Sequence, residues 1–233
     1  MRTIIWRKFE AGVGLLFLLL MAAAAQAATF DKFDYWIPKP LNRWCSYSYL
    51  SPVGFTGFTI RISPITSGKY AGKYYWGDWN VPQNETDVWR IVSWDSTNFY
   101  LHASQLGGDF PSPVVIPRIC SLDTIIPSPI PGNTHYPWYY TFRPNLTVPA
   151  GTFKDVLLDL VLDTDYPPNS MNTALELSLP HAVTYVGVFA KGIGEIWSAD
   201  IDAASGAIRY SYQLQSTGIS SAFPAMLPLL LGE

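Results

Sequence analysis

The sequence predicts an all-β protein whose curved antiparallel sheet forms a roll, half-barrel or sandwich, with little helix. Three observations predict this fold class. Several short segments alternate between apolar and polar residues with a period of two. Aromatic residues make up 15% of the chain and there are 19 prolines, a composition that favours strands and turns over helix interiors. Gly and Pro signals separate these segments, and none of them is a strong amphipathic helix.

The predicted elements follow one another along the chain after an aromatic entry segment at 30–40, which ends at two prolines. The predicted strands are 42–49, 55–62, 73–79, 88–94, 98–103, 155–163, 175–179, a long run at 184–201, and 207–214. The clearest is 155–163, where Leu158 and its apolar neighbours at every second position alternate with three aspartates. We expect these aspartates to form a solvated face: Asp155, Asp159 and Asp163.

Turn residues connect these strands. A tight turn is predicted at 95–97 and a hairpin connection at 202–206, where Gly206 tolerates a positive φ. In 148–156 the Pro-Ala-Gly-Thr sequence predicts a turn that leads into a strand. The glycines at 192 and 194 predict a bulge, a sharp bend or the close approach of another backbone inside a strand. Residues 111–149 hold nine prolines and predict an extended connection with one or two short edge strands.

The first 27 residues predict export. Arg2, Arg7 and Lys8 precede an apolar run at 11–25, and Ala25-Gln26-Ala27 has the small-x-small pattern that signal peptidase cleaves. The run is short for a membrane anchor, so we expect cleavage after Ala27 and a periplasmic or secreted product with no transmembrane span.

The predicted organisation is a signal peptide at 1–27, one all-β domain at 28–221 and an apolar tail at 222–233. Without the leader the chain has a formal charge of −5, which gives no electrostatic footprint for nucleic acid. Tail residues such as Leu229 form a stretch too short to span a bilayer and interrupted by prolines, so it packs back on the domain, docks to a partner or inserts shallowly at a membrane face.

The two cysteines, Cys45 and Cys120, leave two alternatives open. In an oxidising compartment they form a disulfide, or they remain two separate buried thiols, since only geometry decides whether their Cβ atoms can meet. No histidine lies close to either cysteine and no CxxC occurs, so the sequence predicts no metal site.

Catalytic signatures are missing from the sequence. The three histidines have no HExxH spacing and no serine lies in a GxSxG elbow, so we predict no catalytic residues and no cofactor. The chain is therefore more consistent with a binding protein than with an enzyme.

Aromatic residues concentrate between 76 and 100, in a stretch with few charges. Their rings pack in the core or line an apolar ligand site. The candidate ligand-binding residues are Trp76, Trp79, Trp89, Trp94 and Tyr100.

Three segments resemble a loose group of largely uncharacterised exported bacterial proteins. These segments are 34–38 (DYWIP) with the N-R-W of 42–44, 148–156 (VPAGTFKDV) and 189–196 (FAKGIGEI). The resemblance implies a curved antiparallel sheet in a periplasmic or surface protein, and it implies no catalytic residues.

The functional hypothesis from the sequence is an exported, non-enzymatic protein that binds an apolar small molecule or an envelope protein through a concave, aromatic-lined sheet. The first alternative is a structural or assembly component of the cell envelope that uses sheet edges or the tail. The second is a polysaccharide hydrolase, which would need two carboxylates facing each other across a groove.

Overall fold

A computed structural model describes residues 28–49, 57–78, 89–104 and 108–219, so the predicted signal peptide and apolar tail lie outside the described residues. Within these ranges the chain forms strands and two one-turn helices. The strands are β1 (Thr29–Asp31), β2 (Arg43–Tyr49), β3 (Phe58–Pro64), β4 (Tyr74–Asp78), β5 (Trp89–Trp94), β6 (Asn98–Ser104), β7 (Gly108–Pro117), β8 (Ile119–Ser121), β9 (Ile125–Ile126), β10 (Trp138–Val148), β11 (Gly151–Asp163), β12 (Ala182–Ala190), β13 (Gly194–Ile201) and β14 (Ile208–Ile219). The helices are α1 (Phe33–Trp36) and α2 (Ser170–Ala174).

One antiparallel sheet of twelve strands dominates the fold, which confirms the predicted fold class. Its order is β7-β6-β5-β4-β3-β2-β14-β13-β12-β11-β10-β9, with β2 joining the two halves through β14. The sheet is open, since β7 and β9 are its edge strands. A separate two-stranded sheet pairs β1 with β8.

Register shifts bend the large sheet. They occur in the pairings β5 with β6, β6 with β7, β11 with β12, β12 with β13, β13 with β14 and β14 with β2. Each shift adds a local kink and increases the twist of the strand that carries it. The bending brings the two halves together, because Phe99 and Ile116 of one half share a hydrophobic cluster with Trp138 of the other.

The N-terminal segment covers the concave face between the halves. Phe33 of α1 contacts the rings of Trp94 and Phe99 in the first half. Phe30 of β1 contacts Tyr140 and Phe142 in the second half. This segment therefore packs against both halves of the open sheet.

Strand β11 has the predicted alternation, but both of its faces are buried. Leu158, Leu160 and Leu162 lie in the largest hydrophobic cluster, and Leu157 lies in a second cluster with residues of β1 and α1. The solvated face predicted for the aspartates is wrong for Asp159 and Asp163, which are 7% and 5% exposed, and holds only for Asp155. The alternation within β11 could not predict this, because the face that carries the aspartates is covered by other parts of the chain.

Residues 111–149 hold more strand than predicted. The eleven-residue β10 pairs with β11 along its length, so this segment is not mainly an extended connection. Pro144 is accommodated because neither it nor Asp155, the residue opposite, is paired in the ladder between β10 and β11. The φ of +49° at Asp155 marks a local irregularity there. Because proline has no backbone N–H, a strand tolerates it only at a position where no ladder hydrogen bond has to be donated.

Two further strand predictions are corrected. Residues 175–179 form no strand and instead follow α2, which begins after Asn169 because the Asn169 and Asn172 side chains form a reciprocal capping box. The run 184–201 is two strands, β12 and β13, joined by a turn at 191–193. Gly192 has a φ of +72° in that turn and therefore does not mark a bulge inside a strand.

The turns predicted at 95–97 and 202–206 are confirmed. The Asp95 carboxylate accepts hydrogen bonds from the backbone N–H groups of Thr97 and Asn98 at 2.7 and 2.8 Å. Asp202 accepts one from the Ser205 N–H at 2.9 Å, and Gly206 has a φ of +78°.

The two cysteines are free thiols, so the disulfide alternative is not present in the structure. Cys45 on β2 lies in the largest cluster and is 2% exposed, whereas Cys120 on β8 lies in the cluster of Phe30 and is 7% exposed. Burial raises the pKa of both thiols.

Gly206 is the position where the fold depends most clearly on a missing side chain. A Cβ there would lie 2.7 Å from the backbone nitrogens of Ser170 and Met171, and the residue has a positive φ. We expect Gly206→Ala to lower the free energy of unfolding by at least about 2 kcal/mol, because steric overlap adds to backbone strain. Urea unfolding measures this.

The matched control is Gly192→Ala, at a φ of +72° with open space around its Cβ position. This variant should lower the free energy of unfolding by only about 1 kcal/mol, from backbone strain alone. Equal losses in the two variants would contradict the proposed overlap between the 202–206 connection and α2.

Candidate functional site

A cavity of about 230 Å³ lies between the two halves of the large sheet. Its wall combines strands from both halves with α1 and one residue of the segment before β10. The lining residues are Trp36, Trp76, Arg90, Val92, Phe99, Tyr100, Leu101, Ile116, Ile130, Trp138, Asp159, Val161, Tyr185, Phe189 and Glu195. Apolar and aromatic side chains thus form most of the wall, and a small number of charged groups interrupt it.

Gly187 on β12 makes room for the rings of two cavity-lining residues. It lies between Tyr185 and Phe189, and a Cβ at this position would come within 2.8 Å of the Phe189 ring and 3.2 Å of the Tyr185 ring. The missing side chain lets both rings lean over the strand. Asp159 lies opposite Gly187 on β11.

Asp159 is a buried carboxyl group at the cavity wall, 7% exposed. Desolvation by burial raises its pKa to about 7, with Glu195 adding to the rise, while Lys32, Arg90 and the Trp36 N–H lower it. Desolvation therefore outweighs the attraction of two cations. A carboxyl group with a pKa near neutrality in a cavity is typical of a functional site.

Glu195 is a second buried carboxyl group, and both of its oxygens have partners. The hydroxyls of Tyr185 and Tyr212 donate to its two carboxylate oxygens at 2.6 and 2.7 Å. Burial raises its pKa, while these two hydrogen bonds and Arg90 lower it. The Tyr47 hydroxyl also donates to the Glu195 backbone carbonyl at 2.8 Å, which fixes the position of this residue.

Lys32 is a buried cation behind the cavity wall, 1% exposed. Its ammonium lies 4.7, 4.7 and 4.5 Å from the ring centroids of Trp36, Trp138 and Tyr140, within the range of cation–π attraction. Desolvation lowers the pKa of Lys32, while Cys120 and Asp159 act in the opposite direction. Burial thus favours the neutral amine and its partners favour the ammonium.

Arg90 supplies the second cation. It is exposed, lines the cavity, and its guanidinium lies 5.2 Å from the ring centroid of Trp76. Its charge lowers the pKa of both Asp159 and Glu195. With all groups ionised, the two carboxylates and the two cations around the cavity balance in charge.

Trp36 brings an unsatisfied donor to the same wall. Its indole N–H is buried and has no acceptor at hydrogen-bond geometry. It is still close enough to the Asp159 carboxyl group to lower its pKa. The two groups are therefore neighbours that do not fully satisfy each other.

The five predicted aromatic residues have different positions. Trp76 and Tyr100 line the cavity, although the Tyr100 hydroxyl donates to the exposed Asp95 carboxylate at 2.6 Å. Trp94 instead stacks on Tyr74 with ring centroids 4.4 Å apart. Trp79 and the side chain of Trp89 lie outside the described residues.

The prediction missed the lining residues of α1 and the second half. A signal for Tyr185 and Phe189 is present, since β12 is apolar at nearly every position, which is typical of a strand covered on both faces. The charged residues gave no such signal. Asp159 has the spacing of a solvated face, and the burial of Lys32 depends on rings from distant parts of the chain.

Segments 34–38 and 189–196 lie against each other and position the site. The Gly192 N–H donates to the Asp34 carbonyl at 2.7 Å, and the Lys39 N–H donates to the Gly192 carbonyl at 2.9 Å. One of these segments contains Trp36, and the other contains Phe189 and Glu195. The contact between them therefore holds one edge of the cavity together.

Neither a metal cluster nor a spanning helix was found among the residues that the structure describes. No group of three His, Cys, Asp or Glu residues there is arranged to hold a metal ion. No helix there has the length and apolar character needed to cross a membrane.

Comparisons with known proteins find similarity among solved structures. No known family matches the sequence, and no curated protein matches it. One similar solved structure is a protein from Bacteroides fragilis predicted to be exported, with a YMCC-like fold: TM-score 0.39, 9% identity, 79% of this chain and 99% of that chain. Another is a predicted lipoprotein from Parabacteroides distasonis: TM-score 0.36, 9% identity, and the same coverage of 79% and 99%. The function must therefore be argued from the site itself.

The raised pKa of Asp159 predicts a pH-dependent effect of Asp159→Asn. A carboxyl group whose pKa is higher in the folded state than in the unfolded state lowers the free energy of unfolding as pH rises from the unfolded pKa to the folded pKa. For Asp159 this loss is about 2–3 kcal/mol between pH 5 and pH 8. Asparagine removes this cost. The substitution also removes the attraction by which Asp159 raises the pKa of Lys32, so the pKa of Lys32 falls. A buried lysine with a lowered pKa loses its proton, and with it the cost of burying a charge, as pH rises. This second effect therefore also favours the variant at higher pH.

We therefore expect the stability of Asp159→Asn relative to the wild type to become more favourable from pH 5 to pH 8, measured by urea unfolding at both values. Asp155→Asn is the control, since Asp155 is exposed on the same strand and asparagine tolerates its positive φ. A pH-independent difference for Asp159→Asn would mean that this carboxyl group is not desolvated.

Proposed function

We propose that the protein is an exported, non-enzymatic binding protein that holds a small apolar ligand in the cavity between the two halves of its sheet. The observation that carries the proposal is the cavity of about 230 Å³, lined mainly by apolar and aromatic residues. Ligand sites are typically concave and mostly apolar, with few polar groups that fix orientation.

The size of the cavity supports a small ligand. A dry engineered cavity of about 150 Å³ is large enough to bind benzene. By this comparison the cavity here holds a ring with a short substituent, about nine non-hydrogen atoms. A larger molecule would extend beyond the cavity.

The charged groups support binding rather than glycoside hydrolysis. Asp159 and Glu195 belong to β11 and β13, which both flank β12, so the two carboxyl groups lie on one wall rather than across a groove. Both oxygens of Glu195 already accept tyrosine hydrogen bonds. Hydrolases of polysaccharides need the two carboxyl groups on opposite sides of the scissile bond.

The test uses ethylbenzene as an apolar probe in calorimetric titrations of the purified protein. Val161→Phe adds ring volume to the cavity wall, and we expect it to weaken ethylbenzene binding at least about tenfold by filling the space. Val115→Phe is the matched control, because Val115 is 49% exposed and does not line the cavity.

Ethylbenzene binding that is lost in Val161→Phe and kept in Val115→Phe supports the proposal. Absence of binding to the wild type, or equal binding to all three proteins, would overturn it. Native mass spectrometry of protein purified from its host adds an independent result: a stable complex with other envelope proteins and no bound small molecule would favour the assembly alternative.

A further inference from the structure

Arg90 lies at the mouth of the cavity, where the cavity opens to solvent. Among the described residues that line the cavity it alone is exposed, and the others are buried or half-buried. It pairs with Trp76 across β4 and β5, so both side chains point to the same, concave face of the sheet. Its guanidinium lies 5.2 Å from the centroid of the Trp76 ring. A ligand that enters the cavity therefore passes a positive charge.

The donors of Arg90 have no acceptor within the described part of the chain. No residue there forms an ion pair or a hydrogen bond with Arg90, and Trp76 contacts it only through its ring. Glu195 also lines the cavity, but its two oxygens accept from Tyr185 and Tyr212. A guanidinium is planar, and two of its N–H groups match the two oxygens of a carboxylate. These donors are therefore available to a group that a ligand brings.

The charges around the cavity favour a single negative charge at the mouth. Asp159 and Glu195 are buried in the wall, and desolvation raises the pKa of both, so burial favours their neutral forms. Arg90 is exposed and stays ionised. A cationic ligand would have to enter past this charge, which repels it. A doubly charged phosphate would bring more negative charge towards the two acids than one arginine balances.

We propose that the ligand is an amphiphilic carboxylate, whose apolar body fills the cavity and whose head group binds the Arg90 guanidinium at the mouth. This inference rests on the proposed function and adds the chemistry of the head group. The cavity holds about nine non-hydrogen atoms, the size of propylbenzene. A carboxylate at the end of such a body therefore lies outside the enclosed space and remains partly hydrated.

The experiment compares four probes by calorimetric titration at pH 6 and low salt: propylbenzene, 4-phenylbutanoate, 4-phenylbutanamide and 4-phenylbutan-1-aminium. At this pH a simple carboxylic acid is ionised, whereas Asp159, with a pKa of about 7, is mainly protonated. We expect 4-phenylbutanoate to bind the wild type about fivefold more tightly than the amide of the same shape, as the stronger exposed ion pairs do. The aminium should bind more weakly than the amide. Salt at about 1 M should reduce the preference for the carboxylate.

Two substitutions of Arg90 locate this preference. Arg90→Gln removes the charge and should bring the ratio of butanoate to butanamide affinity to about one, whereas Arg90→Lys keeps the charge and should retain about a twofold ratio. Removing the charge of Arg90 also raises the pKa of Asp159 and Glu195, which makes the wall less negative and so opposes the expected loss. Lys154→Gln is the control, because Lys154 is exposed and does not line the cavity. This variant should leave the ratio unchanged.

The outcomes separate the two proposals. If propylbenzene binds in the cavity and 4-phenylbutanoate binds no more tightly than the amide, the carboxylate inference fails and the proposed function stands. If the aminium binds most tightly, the inference fails as well. If Val161→Phe leaves butanoate affinity unchanged, the anion binds outside the cavity and the inference fails. If no probe binds the wild type, the proposed function fails. The wild-type comparison of butanoate with butanamide decides the inference even if a variant does not fold.

Discussion

An open sheet of twelve strands must bury its concave face without a second large sheet to cover it. The structure meets this constraint by bending the sheet at register shifts and by placing β1, α1 and β8 between its halves. Trp36 contacts Phe99 from the first half and Trp138 and Phe189 from the second. Where these rings leave a gap, the cavity remains, so its position follows from how the face is covered.

The same burial determines the electrostatics of the site. Lys32 and Asp159 are removed from water by the segment that covers the sheet, and desolvation is the largest influence on the pKa of each. Glu195 is buried too, but two tyrosine hydroxyls satisfy it. A protein that needed only a stable core would gain little from these charges, because well-packed apolar residues are often at least as stabilising as a buried ion pair.

The all-β class, most strands and the turns at 95–97 and 202–206 could be predicted because they depend on local patterns. Period-two alternation marked β11, and Gly206 marked the connection before β14. The errors came from tertiary structure: β10 tolerates Pro144 because its ladder omits that residue, and 175–179 follows a capped helical turn. At the site, the local concentration of aromatic residues was enough to predict Trp76 and Tyr100. No local pattern could predict Asp159 and Lys32, because their burial depends on distant segments.

The contact between Asp34 and Gly192 has a consequence for the order of assembly. The segment that covers the concave face comes early in the chain, yet it is held by the turn between β12 and β13, and Tyr47 bonds to Glu195 across 148 residues. Contacts of such long range close late and slow folding. The early aromatic segment therefore stays exposed to solvent until the distal hairpin has been synthesised and has folded.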